Sequence, residues 1–180
     1  MKQFKKLLLI GGAGKNTGKT TLACKIIEKF KEYPVVGIKI ARYKSVASLK
    51  EKYPDIPEQQ NYLLVAEDEM NGKTDSSRML VAGAKDSFYI ACPEPEIFTL
   101  FSKIVRKYDN QTLFVVESNS LGRYLEPGLT IFVKTIEKQP SKPKNPARKD
   151  ALQFYNETEA VEDLLNRMYI SNNQWNLKTI

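Results

Sequence analysis

The sequence contains no histidine. That absence removes histidine-dependent triads, imidazole metal ligands and imidazole acid–base chemistry from consideration. Cysteine is nearly as scarce. Cys24 and Cys92 stand apart, without a Cys-x-x-Cys spacing, so neither a cysteine zinc site nor a disulfide framework can be assembled from them. Both thiols are expected to be reduced and to fill core positions. The apolar run near the start, Leu7 to Ile10, is too short for a membrane span or for the apolar stretch of a secretory signal. The expectation is a cytoplasmic protein without a membrane partner. Internal repeats and sharp composition breaks are also lacking, so the 180 residues read as a single domain.

The remaining composition is that of a globular chain, 42% apolar and 27% charged. Lys and Arg outnumber Asp and Glu by 28 to 21, a net charge of +7, which suits an anionic partner. The excess is unevenly spread. Between Lys138 and Asp150, Lys138, Lys142, Lys144, Arg148 and Lys149 against Asp150 supply much of it, and the stretch 139–150 also carries Pro140, Pro143 and Pro146. Such a stretch reads as a loop, solvated or docking an acidic partner. With no aromatic residues interleaved among the basic ones, nucleic acid is not an expected partner.

Leu7 to Ile10, ended by Gly11 and Gly12, has the pattern of a strand buried on both faces of a parallel sheet. From Gly18 to Glu32, Leu22, Ile26 and Phe30 recur at a spacing of four and predict a helix stopped by Pro34. Strands are predicted over Val35–Ile40, Ser87–Cys92, Thr112–Glu117 and Thr130–Val133. Between and after them lie three helical patterns: one capped by Asp75 and carrying Met79 and Leu80, one over Glu94–Lys107, and one opened by a capping box at Asn156 and Glu159. Strands alternating with helices imply an α/β fold, a mostly parallel sheet sandwiched by helices. The segment Arg42–Thr74 is too long for an ordinary connection, with a strand at Tyr62–Ala66 as its one recognisable element.

Between the first strand and the first helix stand Ala13, Gly14, Lys15, Asn16, Thr17, Gly18, Lys19, Thr20 and Thr21. Strand, glycine-rich loop, Gly-Lys-Thr and helix, in that order, are the setting of a phosphate-binding P-loop. Glycines let successive backbone N–H groups face a phosphate, and the helix N-terminus adds partial positive charge. Lys19 reaches the β- and γ-oxygens, Thr20 offers its hydroxyl to Mg²⁺, and Thr21 adds a donor to the α-phosphate. The pattern's first glycine is here Ala13. Lys15 has three readings: it touches the phosphates, reaches across a dimer interface to stabilise transferring charge, or stays in solvent.

A carboxylate at a neighbouring strand end is needed beside the metal. Glu117 and Glu67 each follow a four-residue apolar run; Glu117 is preferred because its strand lies between helical units. Asp75 is read as a helix cap and a candidate magnesium group. Lys39 and Arg42, at and beyond the end of the second strand, fall on the sheet edge where α/β proteins bind ligands.

Four segments together carry a resemblance: Ala13–Thr21, Val35–Ala41, Lys73–Ala84 (Lys-Thr-Asp-Ser-Ser-Arg-Met-Leu-Val-Ala-Gly-Ala), and the strand end Val-Glu-Ser-Asn-Ser-Leu over Val116–Leu121. In that order, over Leu7 to Val133, they resemble the MobB family of molybdopterin-guanine dinucleotide biosynthesis proteins, P-loop NTPases related to MinD and dethiobiotin synthetase. The resemblance implies a three-layer P-loop NTPase fold and GTP or ATP bound by Gly14 to Thr21. It also implies Mg²⁺ organised by Asp75 and Glu117, a homodimer, and a cofactor-biosynthesis partner protein. Ala41, Arg42, Tyr43 and Lys44 stand where that family commonly has histidines, and no Asn-Lys-x-Asp is present to specify guanine, so GTP and ATP both remain open.

The expected function is Mg²⁺-dependent binding and slow hydrolysis of a purine nucleoside triphosphate, with Lys19, Lys15 and Glu117 as catalytic candidates. Two alternatives belong to other classes. One is an ATP-dependent small-molecule activating enzyme related to dethiobiotin synthetase, with Arg42, Lys44 and the 139–150 loop holding the substrate. The other is a non-catalytic nucleotide-dependent switch.

Overall fold

The computed structural model of the chain describes residues 2–14, 16–134, 151–155 and 158–178. Lys15, Asn156 and the 139–150 stretch, singled out above, lie outside the described residues. Seven strands form one sheet in the order β3-β4-β2-β5-β1-β6-β7. They are β1 (Lys2–Gly12), β2 (Val35–Ile40), β3 (Leu63–Glu67), β4 (Asp86–Ala91), β5 (Leu113–Glu117), β6 (Leu125–Lys134) and β7 (Leu152–Tyr155). All neighbouring pairs are parallel except β3 with β4. The expected α/β class with a mostly parallel sheet is therefore what the chain adopts.

Alternation along the central strands divides the core in two. Leu8, Ile10, Val115, Ile131 and Val133 face one side, where they pack against Leu22, Ile26 and Ile27 of α1 (Lys19–Lys29), Met79 of α3 (Asp75–Val81), and Val161 and Leu164 of α5 (Thr158–Arg167). Leu7, Leu9, Val36, Ile38, Phe114 and Val116 face the other, against Leu100, Phe101 and Ile104 of α4 (Ile97–Val105). Leu7, Leu8 and Ile10 are wholly excluded from solvent, as a continuous apolar run in a doubly covered strand requires.

Several expected boundaries shift. Helix α1 ends at Lys29 with Phe30 as its C-cap, ahead of Pro34, and the predicted 94–107 helix opens as a 3₁₀ turn over Glu94–Glu96. Asp75 is not the cap of α3. Thr74 is: its Oγ1 accepts from the Ser77 N–H at 3.0 Å, and Asp75 takes the first helical position. Arg42–Thr74 is not a bare connection, since it holds α2 (Val46–Lys52), capped by Ser45, as well as β3 at the sheet edge.

Strand β6 begins five residues earlier than Thr130 because its first half pairs with Lys2–Phe4 of β1 across a register shift. Pro127 is the last residue paired before the shift, opposite Phe4, and Gly128 lies within it, before Leu129 pairs with Leu8. A Cβ on Gly128 would sit 2.1 Å from the Lys5 carbonyl oxygen, a backbone contact that no rotamer change relieves. Gly128→Ala is accordingly expected to cost about 1–3 kcal/mol and to lower the thermal midpoint by about 2–4 °C per kcal/mol. A midpoint within 1 °C of wild type by differential scanning calorimetry would contradict this close approach.

A final hairpin, β8 (Met168–Ser171) and β9 (Gln174–Leu177), turns through Asn172 and Asn173, both at positive φ. It seats Trp175 edge-on against Phe30, and the indole N–H donates to the Lys6 carbonyl at 2.9 Å. No helix among the described residues is long and apolar enough to cross a membrane.

Candidate functional site at the carboxyl ends of β1, β5 and β2

Register brings the charged residues together. Ile10 of β1 and Lys39 of β2 are both Cα partners of Glu117, on the two sides of β5. Because Ile38, Ile40 and Val116 face α4, the alternation of a strand turns Lys39 and Glu117 to the opposite side, where α1 and α3 begin. Glu117 is only 3% exposed, and a carboxylate so placed needs partners. It has two. The Thr20 hydroxyl donates to Oε2 at 2.5 Å, and the Lys39 ammonium donates to Oε1. Lys39 also pairs with Asp75 Oδ2 at 2.8 Å.

The loop after β1 curls over this cluster. Gly14, Asn16 and Gly18 all have positive φ, and Gly18 is the N-cap of α1 without any side-chain cap. The first amides of the 11-residue α1 therefore lack a side-chain acceptor at the end where the helix dipole is positive. Lys19 folds back over the loop, donating to the Gly14 carbonyl and, at 2.8 Å, to Thr17 Oγ1. A Cβ on Gly12 would approach both Lys19 Cδ and the Val133 carbonyl at 2.9 Å, so that position has no room for a side chain. Asn119, beyond β5, holds the base of the loop: the Gly12 N–H donates to its Oδ1 at 2.9 Å, and its Nδ2 donates back to the Gly12 carbonyl at 3.1 Å. The Ala13 N–H, at the place of the missing glycine, donates to the Val133 carbonyl at 3.2 Å.

Burial pushes the Lys19 ammonium below the usual lysine range and Lys39 adds to the effect, while Glu117 and Asp75 oppose it. For Asp75 burial works upward, but its bond and charge interaction with Lys39, together with Thr20 and Arg78, outweigh that and hold the carboxyl below its ordinary value. The Arg78 guanidinium donates to Thr21 Oγ1 at 3.1 Å, tying α3 to α1.

Sequence reasoning places Thr20, Glu117, Asp75 and Lys19 in one site, and the structure gathers all four, with Lys39 bridging Glu117 and Asp75. Glu67 is elsewhere. Its Oε2 accepts from Thr74 Oγ1 and Ser76 Oγ, both at 2.7 Å, so it clamps the start of α3. Arg42 and Lys44 are at the exposed surface. Sequence reasoning missed the grip of Asn119 on Gly12 and the double pairing of Lys39; the Glu-Ser-Asn-Ser stretch and the register of β2 on β5 are the signals that carry them.

Hydrogen bonds from Ser76, then Thr74, hold the Glu67 carboxyl below its ordinary 4.5, against the opposing effect of burial. A carboxyl depressed in the fold contributes stability that is present above its unfolded pKa and lost as pH falls through the folded one. Unfolding midpoints are therefore expected to drop as pH falls below about 4.5, through Glu67 and then Asp75, whose ordinary value is 3.8. Glu67→Gln should flatten the upper part of that decline, and an unchanged slope would contradict the clamp.

The oxygen donors Thr20, Glu117 and Asp75 suit a hard cation such as Mg²⁺, which takes few protein ligands and keeps waters and phosphate oxygens. Among the described residues no group of three or more His, Cys, Asp or Glu is placed to hold a metal, so an all-protein cage is not what this centre offers. Comparison with known protein families, with curated proteins and with solved structures finds no match for this chain.

Proposed function

We propose that the chain is a P-loop protein that binds a purine nucleoside triphosphate, GTP or ATP, with Mg²⁺, and hydrolyses it slowly. The observation that carries the reading is a single arrangement. An uncapped helix N-terminus follows a glycine loop at the carboxyl edge of a parallel sheet, with the Lys19 ammonium above it and the Thr20 hydroxyl bonded to the buried Glu117. Each part answers a need of triphosphate binding. Loop and helix amides donate to a phosphate, Lys19 exchanges its loop carbonyl for β- and γ-oxygens, and Thr20 and Glu117 with Asp75 would hold Mg²⁺. When bound, the metal neutralises charge on the phosphates.

Phosphoryl transfer depends chiefly on positioning and charge stabilisation, so the absence of histidine is no obstacle. Lys19 stabilises the charge that develops on the transferring group, and Glu117 orients the Thr20 hydroxyl. The resemblance to the MobB family extends the proposal to a homodimer assisting a cofactor-biosynthesis partner. Phosphate release from GTP and from ATP, with and without Mg²⁺, tests the hydrolytic part: slow, magnesium-dependent release supports it, and none above the uncatalysed rate removes it.

A further inference from the structure

The centre contains its own cation. Lys39 Nζ lies 2.8 Å from Asp75 Oδ2 and bonds Glu117 Oε1, while Thr20 Oγ1 bonds the other oxygen of the same carboxylate. Of the three oxygen-bearing side chains fit to hold a divalent metal, the two carboxylates thus close on an ammonium, and the Thr20 hydroxyl is bonded to one of them. The Lys39 side chain is 16% exposed and that of Glu117 4%, so the pair is largely shielded from solvent and from screening by salt. The Lys19 and Lys39 ammoniums and, at Asp75, the Arg78 guanidinium act on the two carboxylates, Glu117 and Asp75, so the chain's own cations already compensate both. A bare divalent cation entering here would compete with Lys39 for both carboxylates and leave the two lysines uncompensated. A metal already bound to a polyphosphate brings the negative charge that Lys39 and Lys19 then require.

We infer that Lys39 is a built-in counter-ion that occupies the metal's place while the site is without nucleotide, so that divalent metal is excluded alone and admitted only with a polyphosphate. The inference rests on the reading above for what the metal arrives with. Exclusion of the bare metal is a property of the nucleotide-free chain and is tested without nucleotide.

The probe is Mn²⁺, titrated into the full nucleotide-free chain and followed by electron paramagnetic resonance. Wild type and Glu117→Gln are expected to bind it equally weakly. Lys39→Met, which leaves both carboxylates without their ammonium, should bind at least about tenfold more tightly, and Lys39→Met combined with Glu117→Gln should lose that gain. A folded Lys39→Met that binds Mn²⁺ no better than wild type overturns the inference. So does a wild type whose Mn²⁺ binding is tight and abolished by Glu117→Gln, a comparison that needs no Lys39 variant to fold. A chain that binds no nucleotide yet shows the gain in Lys39→Met keeps the counter-ion and discards the nucleotide.

Discussion

Lys19→Ala is expected to weaken triphosphate binding by about 10- to 100-fold, the loss of one charge-assisted contact worth about 1.5–3 kcal/mol. Its effect on hydrolysis should be larger, about 10²–10³-fold, because the charge that Lys19 meets grows in the transition state. The fold should survive. Burial disfavours the charged form of Lys19, and its present partners, the Gly14 carbonyl and Thr17 Oγ1, belong to a loop that the β1 strand and Asn119 anchor independently. Calorimetric titration with both nucleotides, beside a thermal melt of the variant, separates loss of affinity from loss of structure. A variant that melts like wild type and binds like wild type would remove Lys19 from the site.

The second large effect concerns Glu117. Replacing it by glutamine keeps the shape but discharges the group to which both Lys39 and Thr20 donate. Removing one partner of a buried ion pair costs about 3–5 kcal/mol. Here the expected loss is about 2–4 kcal/mol, because Asp75 still pairs with Lys39. Asp75→Asn should cost less, under about 1 kcal/mol, its side chain being 37% exposed. Glu117→Gln should also flatten the magnesium dependence of nucleotide binding. Denaturant unfolding of the two variants reads the first effect, and magnesium titrations at fixed nucleotide read the second. Equal stability losses in the two variants would contradict the burial argument.

These two residues show how far the sequence leads. Glu117 stands out because a charged residue directly after Leu113–Val116 must sit at a strand end, and Lys19 because Gly-Lys-Thr falls between an apolar run and a four-spaced stripe. Both are local signals. The central position of Lys39 is not local: it depends on β2 lying next to β5 and on Lys39 being registered against Glu117, a pairing across nearly 80 residues of chain. Asn119 is similar, since its grip on Gly12 arises only once β1 and β5 are neighbours.

Elements failed to show for physical reasons of the same kind. The start of β6 contains Pro127 and Gly128, which oppose a strand locally and stand where the pairing of β1 with β6 shifts register. Strand β7 is four residues long and pairs parallel with β6. Asp75 reads as the cap of α3 from its sequence, yet Thr74 is in the extended conformation that a cap needs and accepts from the Ser77 amide; one residue of register decides which oxygen reaches. The Asn172-Asn173 turn could have announced the last hairpin, since adjacent asparagines tolerate positive φ.

The central claim is that the loop between β1 and α1 receives a triphosphate. Equilibrium binding of GTP and of ATP to the wild-type chain, each with and without Mg²⁺, tests it most directly. The account predicts saturable binding of at least one of them, tighter than about 1 mM, strengthened by Mg²⁺ and weakened in Lys19→Ala. Neither nucleotide binding at that concentration, or binding that Lys19→Ala leaves unchanged, would contradict it.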